Sequence, residues 1–276
     1  MADIRLQALT ALQVERALGE LLAAGLSPRT AATRLTILKR ALSDAVRWGL
    51  LPANPAARVK RPKWVGPEMR ALDEGEAKQL AQAARTAEET GAGRKYARII
   101  LLALATGMRL SEILGLRWSD VGPRELSVRQ GLRDGHTPHP PKTAAAMRTI
   151  PLADQALQAL RRQRHWQLEQ RLAWGPAWRQ TDYVMTHEDG SPIAERMVEL
   201  WYKRWIRSVG LREPAPRIHD LRHTWATLQL RAGTPVHVVS RLLGHSSIAV
   251  TLSVYAHVLP EETVGAAETA DKWLHV

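Results

Sequence analysis

The sequence predicts a mainly α-helical protein in two parts: a small basic helical segment, then a larger helical body that holds one small antiparallel β-sheet. Three observations predict this. Apolar residues recur at helical spacing over most of the 276 residues, punctuated by Gly and Pro. Residues 124–152 leave that rhythm for two short strand-like runs joined by Gly- and Pro-rich turns. A basic stretch with proline, Arg58-Val-Lys60-Arg61-Pro-Lys63, and then Gly66-Pro67 separate the two parts. The boundaries follow as 1–64, a linker at 65–72, and 73–276.

Each element has a local cause. Leu6 to Ala24 reads as a helix broken by Gly25. Ser27 is an N-cap with Pro28 in the first helical position, and this second helix runs to about Trp48, ended by Gly49. Asp73 with Glu76 three residues on forms a capping box that opens the larger part. Further helices are expected near 95–105 and 110–117, and strands at Glu125–Gln130 and Met147–Leu152. From Ala153 the pattern is helical to the end, with breaks near Tyr183–Pro192 and Arg212–Pro216. Thr234-Pro235 starts one of these helices, Gly244 ends it, and Ser246 can cap the next.

Composition narrows the function classes. There are no cysteines, which removes disulfides, thiol chemistry and cysteine-bound zinc. No apolar run approaches the roughly 18 residues of a membrane span, and no secretion signal opens the chain. The location expected is therefore the cell interior. The net charge is +12, which points to a polyanionic partner, most often nucleic acid. A GC-rich genome would also enrich Arg, so distribution matters more than the total. Residues 1–64 carry 11 Lys and Arg against 4 Asp and Glu, which makes the first part the concentrated basic element.

A helical wheel of residues 28–48 separates that charge from the apolar side. Arg29, Thr33, Thr36, Arg40, Ser43 and Arg47 share one face, opposite Leu35, Leu38, Leu42, Ala45 and Val46. The polar stripe has no acid, unlike an ordinary solvated face. It suits contact with phosphates and base edges in a DNA major groove. Lys60, Arg61 and Lys63 extend the basic surface into the following segment.

Four short segments carry the chemistry. They are Ala105-Thr-Gly-Met-Arg109-Leu-Ser-Glu112; Pro141-Lys142-Thr143 with Arg148-Thr-Ile-Pro-Leu152; His219-Asp-Leu-Arg222-His223-Thr-Trp; and Leu243-Gly-His245-Ser-Ser with Tyr255 ten positions after the histidine. Singly, each has an ordinary explanation. A lone Arg is usually on the surface or ion-paired, a His after Gly can be a cap residue, and a helical Tyr is usually packing. His219 and His223 sit at i and i+4 like the histidines of a zinc protease helix. Here, however, Asp replaces the catalytic Glu and no third ligand motif follows, so no metal or other cofactor is expected.

In order and spacing the four segments resemble the tyrosine recombinase (phage integrase) family, over about residues 4–270. The resemblance implies a small helical core-binding domain of SAM-like fold, then a mainly helical catalytic domain with a small antiparallel sheet. It implies a site-specific DNA recombinase that cuts and rejoins strands through a 3′-phosphotyrosyl link without a metal. Arg109 and Arg222 would be the two phosphate-binding arginines. Lys142 would be the general acid for the leaving 5′-oxygen, and His219 would assist proton removal or contact the phosphate. His245 would donate to a phosphate oxygen, and Tyr255 would be the nucleophile. The partner would be double-stranded DNA, bound by a dimer on one site and by a tetramer in the synapse, with Leu259–Val276 docking on a neighbouring copy.

Two departures stand out. Ala144-Ala145-Ala146 follow Lys142-Thr143 where a polar residue is usual. Leu6–Thr10 resembles a segment from midway through the core-binding domain, so that domain reads as shortened at its N-terminus. A type IB topoisomerase would use similar chemistry, and a DNA-binding protein with impaired catalysis is a further alternative. The Gly-Met-Arg-Leu-Ser-Glu and Leu-Leu-Gly-His-Ser-Ser segments look more like integrases, and all six functional positions are filled.

Overall fold

The computed structural model describes residues 4–64, 69–91, 93–135, 137–140 and 146–258. Lys142 and Leu259–Val276 lie outside the described residues, as do positions 65–68 of the expected linker. By compactness the chain divides into two units, Met1–Glu68 and Met69–Val276.

The first unit is built on two helices, α1 (Ala11–Ala23) and α2 (Pro28–Arg47). The helical pattern read from Leu6 starts late: Leu6–Ala8 is a single 3₁₀ turn. Thr10 then caps α1, accepting from the Gln13 amide at 3.3 Å while its own amide donates to the Gln13 side chain at 2.9 Å. That exchange satisfies two of the backbone donors that a helix starting at Ala11 leaves unpaired. Ser27 caps α2 and Pro28 opens it, as expected. Val14, Leu35, Leu42, Ala45, Leu51, Ala56 and Val59 form the core. Lys39 pins the loop beyond α2, donating to the carbonyls of Ala57 and Val59 at 3.0 and 2.8 Å.

The second unit is larger. Its helices are α3 (Glu74–Glu89), α4 (Arg94–Thr106), α5 (Leu110–Leu114), α6 (Asp154–Trp174), α7 (Glu195–Trp205), α8 (Asp220–Arg231), α9 (Val236–Leu243) and α10 (Ile248–Tyr255). Asp73 and Glu76 make the expected capping box at α3. The central α4 buries Ile99, Ile100 and Leu102 completely, among α3, α6 and α8. Each such side chain contributes about 1.5–3 kcal/mol. The expected sheet forms as two antiparallel ladders. β1 (Glu125–Val128) pairs with β4 (Arg148–Pro151), and β2 (Gly131–Leu132) with β3 (Pro138–His139). Leu126 faces Ile150 across the first ladder, and both are buried, so alternation sets the register. The same alternation turns Arg148 inward. No described helix is long and apolar enough to cross a membrane.

Candidate active site

The site is assembled at helix ends. α4 stops at Gly107, whose φ of +64° is the left-handed conformation that favours glycine. The turn delivers Arg109 as the residue preceding α5, where its amide donates to Glu112 Oε2 at 2.9 Å and its guanidinium to Oε1 at 2.8 Å. Arg148, from β4, adds bonds of 2.7 and 3.2 Å to the same carboxylate. Glu112 is buried, which would raise its carboxyl. The hydrogen bonds and charges of Arg148 and Arg109 overcome that and hold it at about 2. It is an anion among arginines at neutral pH.

The C-terminus of α9 holds two more contacts. The Leu242 carbonyl accepts from Arg148 Nε at 2.5 Å, and the Leu243 carbonyl accepts from Arg222 at 2.5 Å. Carbonyls left unpaired at a helix end suit cations. Arg222, on α8, also donates to the Gly107 carbonyl at 2.9 Å, so α4, α8 and α9 meet on one guanidinium. Burial, then the charge of Arg109, lowers its pKa to about 9. It remains charged at neutral pH.

Gly244 ends α9 with a φ of +68° and His245 follows. The His245 ring is 2.8 Å from the Thr251 hydroxyl on α10, and burial with the charges of Arg222 and Arg109 holds it at about 4. The cap of α10 is Ser247, which accepts from the Ala249 amide at 3.1 Å, and not the expected Ser246. Tyr255 stands at the end of α10, 2% exposed, with its hydroxyl 2.6 Å from His223 Nδ1. Burial pushes the phenol up to about 12, against the pull of Arg222. His219, at the start of α8, is lowered by burial and by Arg222, and its ring meets that of His223 edge-on at 5.2 Å.

The fold thus gathers Arg109, His219, Arg222, His245 and Tyr255 within electrostatic reach of one another. A cavity of about 410 Å³ opens beside them, lined in part by Arg109, Glu112, Arg133, His139 and His245. Tyr255 does not line it. Among the described residues no group of three or more His, Asp and Glu is arranged to hold a metal.

Three residues of the site escaped the sequence reading. Glu112 and Arg148 stand in the motifs without a role, and the sequence places His223 on one helix face with His219 and Arg222 and in a zinc-like spacing, without a catalytic role. The spacing of Glu112 three residues after Arg109 was the one available signal for the first pair. Nothing in the chain order announces that His223 would face Tyr255.

In the first unit, Arg29, Thr33, Thr36, Arg40, Arg47, Lys60, Arg61 and Lys63 are all exposed. The hydroxyls of the stripe are nevertheless engaged. Thr33 and Thr36 donate to the carbonyls of Arg29 and Ala32 at 3.0 and 2.9 Å, and Ser43 accepts from Asn54 at 2.8 Å. Arg47 pairs with Asp44 at 2.9 Å, and Arg29 lies over the Trp64 ring at 4.8 Å.

Comparison with known proteins bears on the family and the fold. The phage integrase family profile matches residues 70–262. A tyrosine recombinase XerC-like protein of Caldanaerobacter subterraneus subsp. tengcongensis is 28% identical, over 96% of this chain and 72% of its own. A tyrosine recombinase XerC of Actinobacillus pleuropneumoniae is 30% identical, over 85% of this chain and 69% of its own. Among solved structures, the Tn1549 transposon integrase in complex with a circular intermediate DNA superposes with a TM-score of 0.73 at 20% identity, covering 97% of this chain and 86% of that one. A lambda integrase tetramer bound to a Holliday junction gives 0.68 at 19% identity, covering 95% and 67%. At such identities the structures show a shared fold.

Proposed function

The chain belongs to the phage integrase family, and we propose that it is a site-specific DNA recombinase that cuts and reseals strands through a phosphotyrosyl link at Tyr255. The observation that carries this reading is a buried tyrosine hydroxyl within the field of the buried cation Arg222, which the carbonyls of Gly107 and Leu243 anchor. Displacement at phosphorus spreads negative charge over the non-bridging oxygens, and preorganised donors lower its energy most. Arg109 and His245 line one cavity, where a backbone phosphate would meet both. Arg222 stands behind them as a buried cation. Tyr255 attacks phosphorus, the bond to the 5′-oxygen breaks, and Lys142 supplies the proton to that leaving oxygen, by resemblance to the family. A 5′-hydroxyl from the partner strand then reverses the steps and reseals. Every bond broken is replaced, so neither a metal nor a high-energy cofactor is needed.

The partner is double-stranded DNA inside the cell. Each chain brings one nucleophile, so exchanging four strands between two duplexes takes four chains, two per site. The lambda integrase tetramer on a Holliday junction, which shares this fold, supports that arrangement. Arg29, Arg40, Arg47, Lys60, Arg61 and Lys63 supply phosphate contacts from the first unit, and the Thr33 and Thr36 hydroxyls beside them accept from base amino groups.

The test uses a duplex nicked next to the cleavage point, bearing sequence that the chain itself selects from a randomised pool. Wild type, in EDTA, forms an adduct that survives SDS, and Tyr255→Phe forms none. Absence of the wild-type adduct on selected DNA would sink the reading.

A further inference from the structure

We propose that His223 is a further catalytic residue, the base that takes the Tyr255 proton as the tyrosyl oxygen attacks phosphorus and returns it when the strand is resealed. This rests on the recombinase reading above and adds to it the route of the nucleophile's proton.

The contact is built by two helices. His223 is on α8, whose Leu221, Trp225 and Ala226 are buried. Tyr255 is on α10 and packs into the same cluster as Trp225, Ala226, Leu230, Val239 and Leu243. Anchored from both sides, the hydroxyl and Nδ1 sit 2.6 Å apart. With the imidazole proton on Nε2, Nδ1 accepts the phenolic O–H. Among the described residues no other side chain hydrogen-bonds this hydroxyl. His219, which the resemblance offers for proton removal, instead lies edge-on to His223. That leaves His219 free to contact the phosphate.

The charges around the pair explain why the proton stays on oxygen until DNA arrives. His219, Asp220 and Arg222 act on His223 from α8, Arg217 from the turn before it, His245 from the turn after α9, and Tyr255 from α10. Burial, His219 and the arginines outweigh Asp220 and hold His223 at about 4, while burial keeps Tyr255 near 12. A bound phosphate anion offsets the arginines and raises the proton affinity of the imidazole. As the O–P bond forms, the hydroxyl proton becomes acidic and passes to Nδ1 in the same step. The balance is complete. The tyrosyl O–P bond forms, the P–O5′ bond breaks, His223 gains the phenolic proton, and the 5′-oxygen takes one from Lys142. Resealing returns each proton.

Single-turnover adduct formation by the whole chain on the selected nicked duplex tests this across pH. His223→Asn keeps a polar atom near the Nδ1 position but no base. It should bind the duplex like wild type, lose about 10²-fold or more in adduct rate, and lose the fall in rate that wild type shows toward acid. Imidazole in solution should restore part of the activity of His223→Ala. His223→Asn with the wild-type rate and pH profile would overturn the proposal. So would a slowed variant whose pH profile is unchanged and whose Ala counterpart imidazole does not rescue, since that marks a merely structural contact. The recombinase reading fails differently, through a wild type that makes no adduct or a Tyr255→Phe variant that still does, and the proposal falls with it.

Discussion

Glu112 shows how much of the site depends on one carboxylate. It is an anion at the meeting point of Arg109 and Arg148, and its charge also acts on Arg222. Breaking a buried pair by removing one partner costs about 3–5 kcal/mol, because the other charge is left uncompensated. Glu112→Gln should therefore lower stability by that order in urea unfolding, and slow adduct formation as Arg109 loses its anchor. The pH dependence follows from the same carboxyl. Its folded value of about 2 lies below the ordinary 4.5. Its contribution is thus fully present above 4.5 and is lost as pH falls towards 2. Wild-type stability should drop across that window more steeply than that of Glu112→Gln. Parallel curves for the two proteins would refute the coupling.

At the scale of elements, the turn after α4 does two jobs. Its Gly107 carbonyl holds Arg222, and its Cα faces the indole of Trp225 on the same α8. A Cβ at Gly107 would come within 2.6 Å of Trp225 Cε3, on a residue whose φ is +64°. Left-handed strain costs about 1–2 kcal/mol and overpacking about 1–3 kcal/mol. Gly107→Ala should therefore lose roughly 2–5 kcal/mol by denaturant titration. Because α8 carries Arg222 and His223, its adduct rate should fall even where the variant is still folded. A variant with wild-type stability would show that the turn can relax. This turn also marks the limit of what the sequence disclosed. Helix starts at Ser27 and Asp73, the strand pair and the stop at Gly244 were legible, because caps and alternation are local. The late start of α1 was missed, because apolar spacing through Leu6 hid the cap at Thr10. The order of the motifs brought all six expected site residues to notice, and the structure gathers five of them, Lys142 lying outside the described residues. Glu112, Arg148 and His223 were not legible in their roles. Their partners are set by how α5, β4, α8, α9 and α10 meet, and that is tertiary.

For the whole molecule, a net charge of +12 is a statement about phosphates, and the side chains decide which charges are available. In α2, Lys39 and Arg40 are neighbours with opposite duties. The Lys39 ammonium is spent on the carbonyls of Ala57 and Val59. Arg40 is exposed and, among the described residues, makes no ion pair. Each phosphate neutralised releases counterions, so log affinity falls with log salt at a slope of about −0.9 per contact on duplex DNA. If Arg40 is one such contact, Arg40→Ala should weaken binding to a random-sequence duplex and make the slope shallower by about one. Lys39→Ala should leave the slope unchanged and lower stability, because it frees the loop that closes the first core. Fluorescence anisotropy titrations between about 50 and 200 mM salt, an interval over which several phosphate contacts change affinity by orders of magnitude, separate the two. A slope that shifts for Lys39→Ala and not for Arg40→Ala would mean that the stripe on α2 is not the face that meets DNA.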